Sequence, residues 1–422
     1  MTASHIPAFN PNYLDEGTIT KALADGTHAP VLQAYFGAPA YAELTLLAQQ
    51  AVQTRCDKQA PCVYVLPGLL GSKLAVSTAK HSEVLWLDPS SVMAGKLVQL
   101  AIGKRRSIRA TGVMLAAYLK LGLTLQAAGM PVKLFPYDWR RSIIELGKRL
   151  AEELRHEPAK EVMLVAHSMG GLVTRVALNH PAAAKVSRVV QLGTPNQGSF
   201  ALLQALRACY PTVRKLGALD HLYSAEQLTQ QVFRSFYSFY EMLPGPAYTP
   251  DLNLFDYRQW PQDDFTPRPD RLNLGKRITR HLAKADRRCH AIVGIEQATI
   301  TGVRRVADEF VFQVTPEGDG TVPVALAKWQ QARHWYIREA HGLLPRNTQV
   351  CQAVVELLNN ETTRILPTEF ASSQTDSVEY SEAEMKLLPN CTVRWDRLPL
   401  SERRDLLEPV ISAAFTAACH SK

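Results

Sequence analysis

Long apolar runs, metal-ligand clusters and phosphate-cradling glycine loops are all missing from this 422-residue chain. Each absence narrows what it can do. The longest apolar stretch, Gly112–Met130, is interrupted by Lys120, Thr124 and Gln126 and closed by Gly129. It is too short and too polar for a membrane span, and reads as a core helix packed on a sheet. The opening residues, Met1-Thr-Ala-Ser-His-Ile-Pro7, have no basic start and no apolar core, so no secretory signal is read there. A cytoplasmic location is expected, with export by a signal-less route left open. The seven cysteines show no metal spacing, and their odd number favours reduced thiols. Cys56 and Cys62 form the one close pair, where free thiols are favoured over a disulfide. No basic motif interleaved with aromatics points to nucleic acid. The net charge of +8 comes from scattered basic groups: Lys104-Arg105-Arg106, Arg140-Arg141, Arg287-Arg288, Arg304-Arg305 and Arg403-Arg404. Scattered charge reads mainly as solvated faces and leaves peripheral contact with an anionic membrane open. No cofactor and no metal are expected. Oligomeric state is not legible.

What is present is an alternation. Residues 1–60 read as a helical segment, with Ala40–Gln53 the clearest helix. Val63–Leu66 is a short buried strand broken by Pro67-Gly68. Trp86-Leu-Asp-Pro89 reads as a loop or short insertion. A helix over 112–128 ends at Gly129. Val132–Phe135 is a strand, and Ile143, Leu146, Leu150 and Leu154 mark an amphipathic helix. Val162–Ala166 and Val189–Leu192 are further strands, with a helix between them that stops before Pro181. Strands alternating with helices predict an α/β fold with a mostly parallel central sheet, helices on both faces, and strands buried on both sides. Residues 61–200 form the first part of this core.

The alternation stops at 201–285, which is helical, aromatic and Pro-rich and reads as an inserted helical cap. A subset of its aromatics could line an apolar pocket. The core resumes over 286–365. Cys289–Gly294 and Trp335–Ile337 are strands, Phe310–Val314 is a strand or hairpin arm, and Asn347–Leu358 is a final helix. Residues 366–422 read as an extension folding back on the core.

The chemistry gathers around Val162-Met-Leu-Val-Ala-His-Ser-Met-Gly-Gly171. An apolar strand running into Ala-His-Ser168-Met-Gly and then a helix is the context of a nucleophile elbow. Small residues are needed two before and two after the serine, because backbones pass closely there. Ala166 and Gly170 satisfy this. A serine hydroxyl must lose a proton as it attacks, so it needs a base and a carboxylate to orient that base. In elbow hydrolases these follow in the order serine, acid, histidine. Ser168, Asp319 and His341 fit that order. Asp319 sits between Gly318 and Gly320, where it would also serve as a turn residue, and Glu317 competes with it. His341 precedes Gly342 on a loop. His334 reads as structural, and His167 is expected to face away from the serine beside it. The oxyanion formed on attack needs fixed donors. The backbone N–H of Met169 is one candidate. The N–H of Leu69, in the loop Pro67-Gly68-Leu69-Leu70-Gly71, is the other.

Together these residues resemble the lecithin:cholesterol acyltransferase-like family of α/β-hydrolases, which includes phospholipases and phospholipid:diacylglycerol acyltransferases. The resemblance covers about residues 62–360. Pro67-Gly-Leu-Leu-Gly-Ser72 looks like the family's early loop, and Tyr137-Asp-Trp-Arg140 is similar to its Tyr-Asp-Trp-Arg motif. Ser238-Phe-Tyr-Glu-Met-Leu-Pro244 resembles a cap segment. Gly318-Asp-Gly-Thr-Val-Pro323 looks like the acid motif and favours Asp319 over Glu317. The resemblance implies an α/β-hydrolase fold, a triad of Ser168, Asp319 and His341, and oxyanion donors at Leu69 and Met169. Asp138 and Arg140 are expected to brace loops by ion pairing. Secreted members carry a disulfide-braced lid. The segment Ala79–Arg109 lacks such a pair and departs from that pattern.

The expected activity is hydrolysis of a lipid or other apolar acyl ester through an acyl-enzyme on Ser168. An O-acyltransferase, passing the acyl chain from a phospholipid to an alcohol, shares the first half-reaction. A non-catalytic binding protein on a hydrolase fold is the third reading, and the intact residue order argues against it. Acyl length, head group and acceptor are not legible.

Overall fold

The computed structural model describes residues 9–56, 60–77, 82–103, 107–371 and 377–387. The readings placed on residues 1–7, Lys104–Arg106, Arg403-Arg404 and most of the 366–422 extension lie outside them. Among the described residues, twelve strands follow in chain order. They are β1 (Cys62–Leu66), β2 (Ser72–Ser77), β3 (Ser82–Trp86), β4 (Ile108–Val113), β5 (Val132–Leu134) and β6 (Val162–His167). Then come β7 (Val186–Leu192), β8 (Cys289–Gly294), β9 (Thr299–Val306), β10 (Glu309–Thr315), β11 (Arg333–Ile337) and β12 (Val378–Ser381).

Six of these strands form the central sheet in the order β11-β8-β7-β6-β1-β5, and every pairing in it is parallel. The expected α/β class and parallel sheet are borne out. All residues of β1 and β8 are buried, as covering both faces of a parallel sheet requires. The edge strand β5 is the least buried of the six.

Helix Ile143–His156 explains itself locally. Its inward residues Ile143, Leu146, Gly147, Leu150, Ala151 and Leu154 recur at helical spacing, and Arg155 and His156 occupy the last turn, where the dipole favours positive charge. Gly147 lets it lie on the elbow helix Met169–Ala177, because a Cβ there would come within 2.4 Å of the Val176 Cβ. Helix Leu115–Ala127 is buried on almost every side. It ends in a Schellman pattern, with the Met130 N–H on the Leu125 carbonyl at 3.1 Å and Gly129 at φ 84°. The N-terminal helices Glu16–Asp25, Ala29–Phe36 and Ala38–Gln53 complete its burial, and Lys120 reaches Glu43 at 2.6 Å.

Three readings need correction. The helix expected over 112–128 begins only at Leu115, since Gly112 and Val113 pair with Lys73 and Ser72 as the end of β4. Trp86 is not in a loop: it closes β3 and is fully buried. The segment around Ala79–Arg109 instead contributes β3 and the start of β4 to an antiparallel sheet ordered β3-β2-β4. A third sheet, β12-β10-β9, includes β9, which sequence patterning did not suggest. In the described part of the C-terminal extension, β12 pairs antiparallel with β10. Cys56 is exposed, Cys62 is buried in β1, and the two are not bonded.

The cap interrupts the core between β7 and β8. Helices Phe200–Leu206, Pro211–Leu219 and Ala225–Gln231 lead it, and Tyr237–Glu241 and Pro269–Arg277 follow. No helix among the described residues is long and apolar enough to cross a membrane.

Candidate active site

Ser168 stands at the junction of β6 and helix Met169–Ala177, with φ 53° and ψ −125°. A side-chain-bearing residue pays about 1–3 kcal/mol for such a conformation. The surroundings impose it: the Ser168 N–H is held by the Leu192 carbonyl at 2.8 Å, and the helix starts at once. Two residues on, Gly170 passes so close to the early loop that a Cβ would lie 2.6 Å from the Pro67 carbonyl oxygen. That contact is the physical reason for a glycine there.

Ser168, Asp319 and His341 converge from three separate turns. His341 Nε2 lies 2.8 Å from Ser168 Oγ, and His341 Nδ1 lies 2.7 Å from Asp319 Oδ2. The three are 7%, 3% and 1% exposed for Ser168, His341 and Asp319 respectively, so little water competes for these bonds. Asp319 also holds its own turn, its Oδ1 accepting from the N–H groups of Thr321 at 3.0 Å and Val322 at 2.7 Å. The turn role and the histidine contact therefore coexist on one carboxylate. Glu317 is exposed, and the carboxylate against His341 Nδ1 is that of Asp319. His341 does not sit on an open loop tip: it begins the 3-10 turn His341–Arg346, and its N–H donates to the Asp319 carbonyl at 2.8 Å. Gly193, with φ 56°, backs the pair, since a Cβ there would stand 3.0 Å from both Asp319 Oδ2 and His341 Nδ1.

The early loop turns tightly, the Gly71 N–H meeting the Gly68 carbonyl at 3.1 Å with Leu70 at φ 64°. Gly68 abuts the serine, where a Cβ would come within 2.8 Å of the Ser168 Cβ. Four buried aromatic side chains hold this loop by their polar ends. Tyr137 Oη donates to the Pro67 carbonyl, and Tyr118 Oη accepts from the Gly68 N–H at 2.7 Å. Trp86 Nε1 donates to the Leu70 carbonyl at 2.7 Å, and Trp139 Nε1 to the Ser72 carbonyl at 3.0 Å. Leu69 and Ser168 line one pocket. Met169 is the first residue of its helix, so its N–H has no acceptor within that helix.

His167 does not face away, as expected from its place beside the serine. Its ring is buried in the pocket wall, 4.9 Å from the His341 ring, with Nε2 3.0 Å from the His341 carbonyl oxygen. Burial, and then the neighbouring His341, push its pKa well below the usual histidine value. Its position is set by the elbow's backbone, which composition cannot reveal. His334 lies in β11, where its Nε2 accepts from the Trp329 N–H at 3.2 Å.

Asp138 and Arg140 do brace loops. Arg140 Nε and Nη2 meet the two Asp138 oxygens at 2.8 and 2.6 Å, and its Nη1 donates to the Leu100 carbonyl at 2.6 Å. Among the described residues no group of His, Cys, Asp and Glu is arranged to hold a metal ion.

The pocket above Ser168 encloses about 780 Å³, open mouth included. Beyond the polar floor its wall is mainly apolar, with Leu202, Ala205, Val213, Leu216, Phe233 and Phe239 from the cap beside Tyr210 and Thr212. A fixed serine–histidine–carboxylate array under an apolar wall can attack an ester carbonyl whose acyl part is apolar.

The lecithin:cholesterol acyltransferase family model matches residues 122–386, more than half of the chain. The chain belongs to the lecithin:cholesterol acyltransferase family. Membership supports an esterase or acyltransferase of lipid esters. The family match includes Ser168, Asp319 and His341 and starts after the 67–72 loop. It also includes Ser238–Pro244, which staples the cap to the core. Ser238 Oγ donates to the Trp139 carbonyl at 2.6 Å, and Glu241 accepts from Ser142 Oγ at 2.6 Å.

No curated protein matches the sequence. Among solved structures, the Tle4–Tli4 complex is 13% identical with a TM-score of 0.49, covering 71% of this chain and 98% of that one. The mature form of Bacillus licheniformis lipase BlEst2 is 15% identical with a TM-score of 0.38, covering 73% and 95%.

Proposed function

We propose that this member of the lecithin:cholesterol acyltransferase family is a serine carboxylic-ester hydrolase acting on an apolar acyl ester. The observation that carries the reading is the unbroken contact series Asp319–His341–Ser168 at the floor of an apolar pocket. Ser168 Oγ attacks the carbonyl carbon while His341 Nε2 takes its proton, and Asp319 holds the Nδ1–H of the imidazolium. The N–H groups of Leu69 and Met169 receive the negative oxygen. The C–O bond to the leaving alcohol breaks as His341 returns the proton to that oxygen. Water, deprotonated by His341, then releases the acid and restores Ser168. The apolar wall holds the acyl chain.

Covalent labelling by a fluorophosphonate, lost in Ser168→Ala, tests the nucleophile. p-Nitrophenyl esters of increasing chain length test the pocket. A folded protein that resists labelling, or a preference for acetyl esters alone, would overturn the respective part.

Membership of the family favours one second reading, acyl transfer to an alcohol in place of water. Incubation with phospholipid and a long-chain alcohol separates them. A wax-type ester product supports transfer, and free fatty acid alone excludes it.

A further inference from the structure

The ring of His167 sits between two groups that the proposed chemistry needs in register. Its Nε2 is 3.0 Å from the His341 carbonyl oxygen, and its Nδ1 is 2.8 Å from Tyr118 Oη. A carbonyl oxygen can only accept, so Nε2 must carry the proton. Burial keeps the imidazole neutral, which leaves Nδ1 as a bare acceptor. Tyr118, deep in helix Leu115–Ala127, therefore donates its O–H to Nδ1 and accepts the Gly68 N–H on the same oxygen at 2.7 Å. Burial also raises the Tyr118 pKa, so the phenol retains its proton.

Every hydrogen in this series points the same way: from Gly68 to Tyr118, from Tyr118 to His167, from His167 to His341. At its far end the His341 main chain is held twice, its carbonyl by His167 and its N–H by the Asp319 carbonyl. At its near end stands the loop carrying Leu69. Space is tight throughout. A Cβ on Gly68 would lie 3.0 Å from His167 Nδ1, and one on Gly71 would lie 2.8 Å from Tyr118 Oη.

We propose that Tyr118 and His167 are positioning residues, forming a one-way hydrogen-bond relay that fixes the oxyanion loop and the His341 main chain against each other. The inference rests on the serine-hydrolase reading of the same site. It differs from simple core filling because it depends on two polar contacts rather than on volume. Small misplacement of a base or an oxyanion donor is costly in rate, so the relay acts on the chemical step rather than on substrate capture.

Tyr118→Phe removes one oxygen and keeps the ring. Its kcat on a short p-nitrophenyl ester should fall about 10- to 100-fold, with KM changed less than about twofold. His167→Leu should lose as much. His167→Gln should recover part of it, because its amide N–H can still donate to the His341 carbonyl. A packing role would rank Leu at or above Gln. Histidine ¹⁵N spectra of the full-length wild type, with the His167 signals assigned by comparison with His167→Gln, should show a protonated Nε2 and a bare Nδ1. The opposite tautomer overturns the relay even if Tyr118→Phe or His167→Leu fails to fold. Wild-type kcat in Tyr118→Phe and His167→Leu, with Ser168→Ala inactive, overturns the relay and leaves the nucleophile standing. Activity and labelling retained in Ser168→Ala would instead remove the reading on which it rests.

Discussion

Asp319 divides its carboxylate between two tasks: Oδ2 faces His341 Nδ1 at 2.7 Å, and Oδ1 caps the turn through Thr321 and Val322. The two tasks separate under substitution. Asp319→Asn retains an acceptor for the turn amides and presents an uncharged group to His341. On the proposed mechanism its kcat falls roughly 10³- to 10⁴-fold while the melting temperature moves only a few degrees. Asp319→Ala also strands the turn amides and costs about 1–3 kcal/mol of stability. Glu317→Gln leaves kcat as it was. Ester kinetics and thermal melts of the three variants check this, and an Asp319→Asn protein with wild-type kcat would remove the carboxylate from the mechanism.

Gly68→Ala tests the loop opposite the serine. The new methyl would stand 2.8 Å from the Ser168 Cβ and 3.0 Å from His167 Nδ1, so the loop must retreat. A retreat shifts the Leu69 N–H from the developing oxyanion. Loss of one such donor costs about 10²–10³ in kcat. The expected result is that drop, measured with a short ester, together with slower fluorophosphonate labelling. An unchanged labelling rate would show that this loop supplies no donor.

The same residues show what the sequence made legible. Strands of the central sheet read as apolar runs because both their faces are covered, and the elbow was visible because a strained turn restricts its neighbours to small residues. Asp319 stood out by its place between Ser168 and His341 in chain order and by the resemblance of Gly318–Pro323 to the family's acid motif. What stayed hidden depended on contacts between distant segments. β9 carries Gly302, Arg304 and Arg305, and its residues are buried only at the start, so no apolar run marks it. Helix Leu115–Ala127 reads too long because Gly112, Val113 and Met114, which end β4 and lead into the helix, continue its apolar run in sequence. The turn of the His167 ring toward His341 follows from the Ser168 backbone, at φ 53°, which no composition rule states.

Arg140 is predicted to matter for stability more than for chemistry. Its fork binds both oxygens of Asp138 and reaches the Leu100 carbonyl, tying the loop after β5 to the segment before β4. Lysine has the charge without the fork. Arg140→Lys should lower unfolding free energy by about 1–3 kcal/mol, seen as a lower urea midpoint, with kcat of the folded fraction within about threefold of wild type. A large kcat loss at unchanged stability would place Arg140 in the chemical step.

The cap wall gives a prediction about substrate length. Ala205 lies in helix Phe200–Leu206 and lines the pocket beside Leu202 and Leu216. Leucine at 205 adds three carbons to that space. The ratio of kcat/KM for decanoyl over butyryl p-nitrophenyl esters should fall about tenfold or more, since each lost methylene contact is worth about 0.8 kcal/mol. The butyryl rate should hold. Equal losses on both esters would mean that the acyl chain lies elsewhere.

Acid sensitivity should trace in part to His290, which does not line the pocket above Ser168. It lies in β8 against Trp335 of β11, ring centroids 5.3 Å apart, fully buried, with both ring nitrogens unpartnered. Burial first, then the charges of Arg333 and Arg188, push its pKa from 6.5 down to about 4. Between those values the unfolded chain binds a proton that the folded chain refuses. Stability is therefore full above about pH 6.5 and declines as the pH falls toward 4. One pKa unit corresponds to about 1.4 kcal/mol, so this single group can remove roughly 2–3 kcal/mol across the window. His167, depressed in the same direction by burial, adds to the slope. His290→Phe keeps a ring in the core and abolishes the titration. Its urea-unfolding free energy should therefore fall less steeply than that of wild type between pH 6.5 and 4.5, whatever its value at pH 7.5. Parallel curves for the two proteins would show that His290 is not the group that acid protonates.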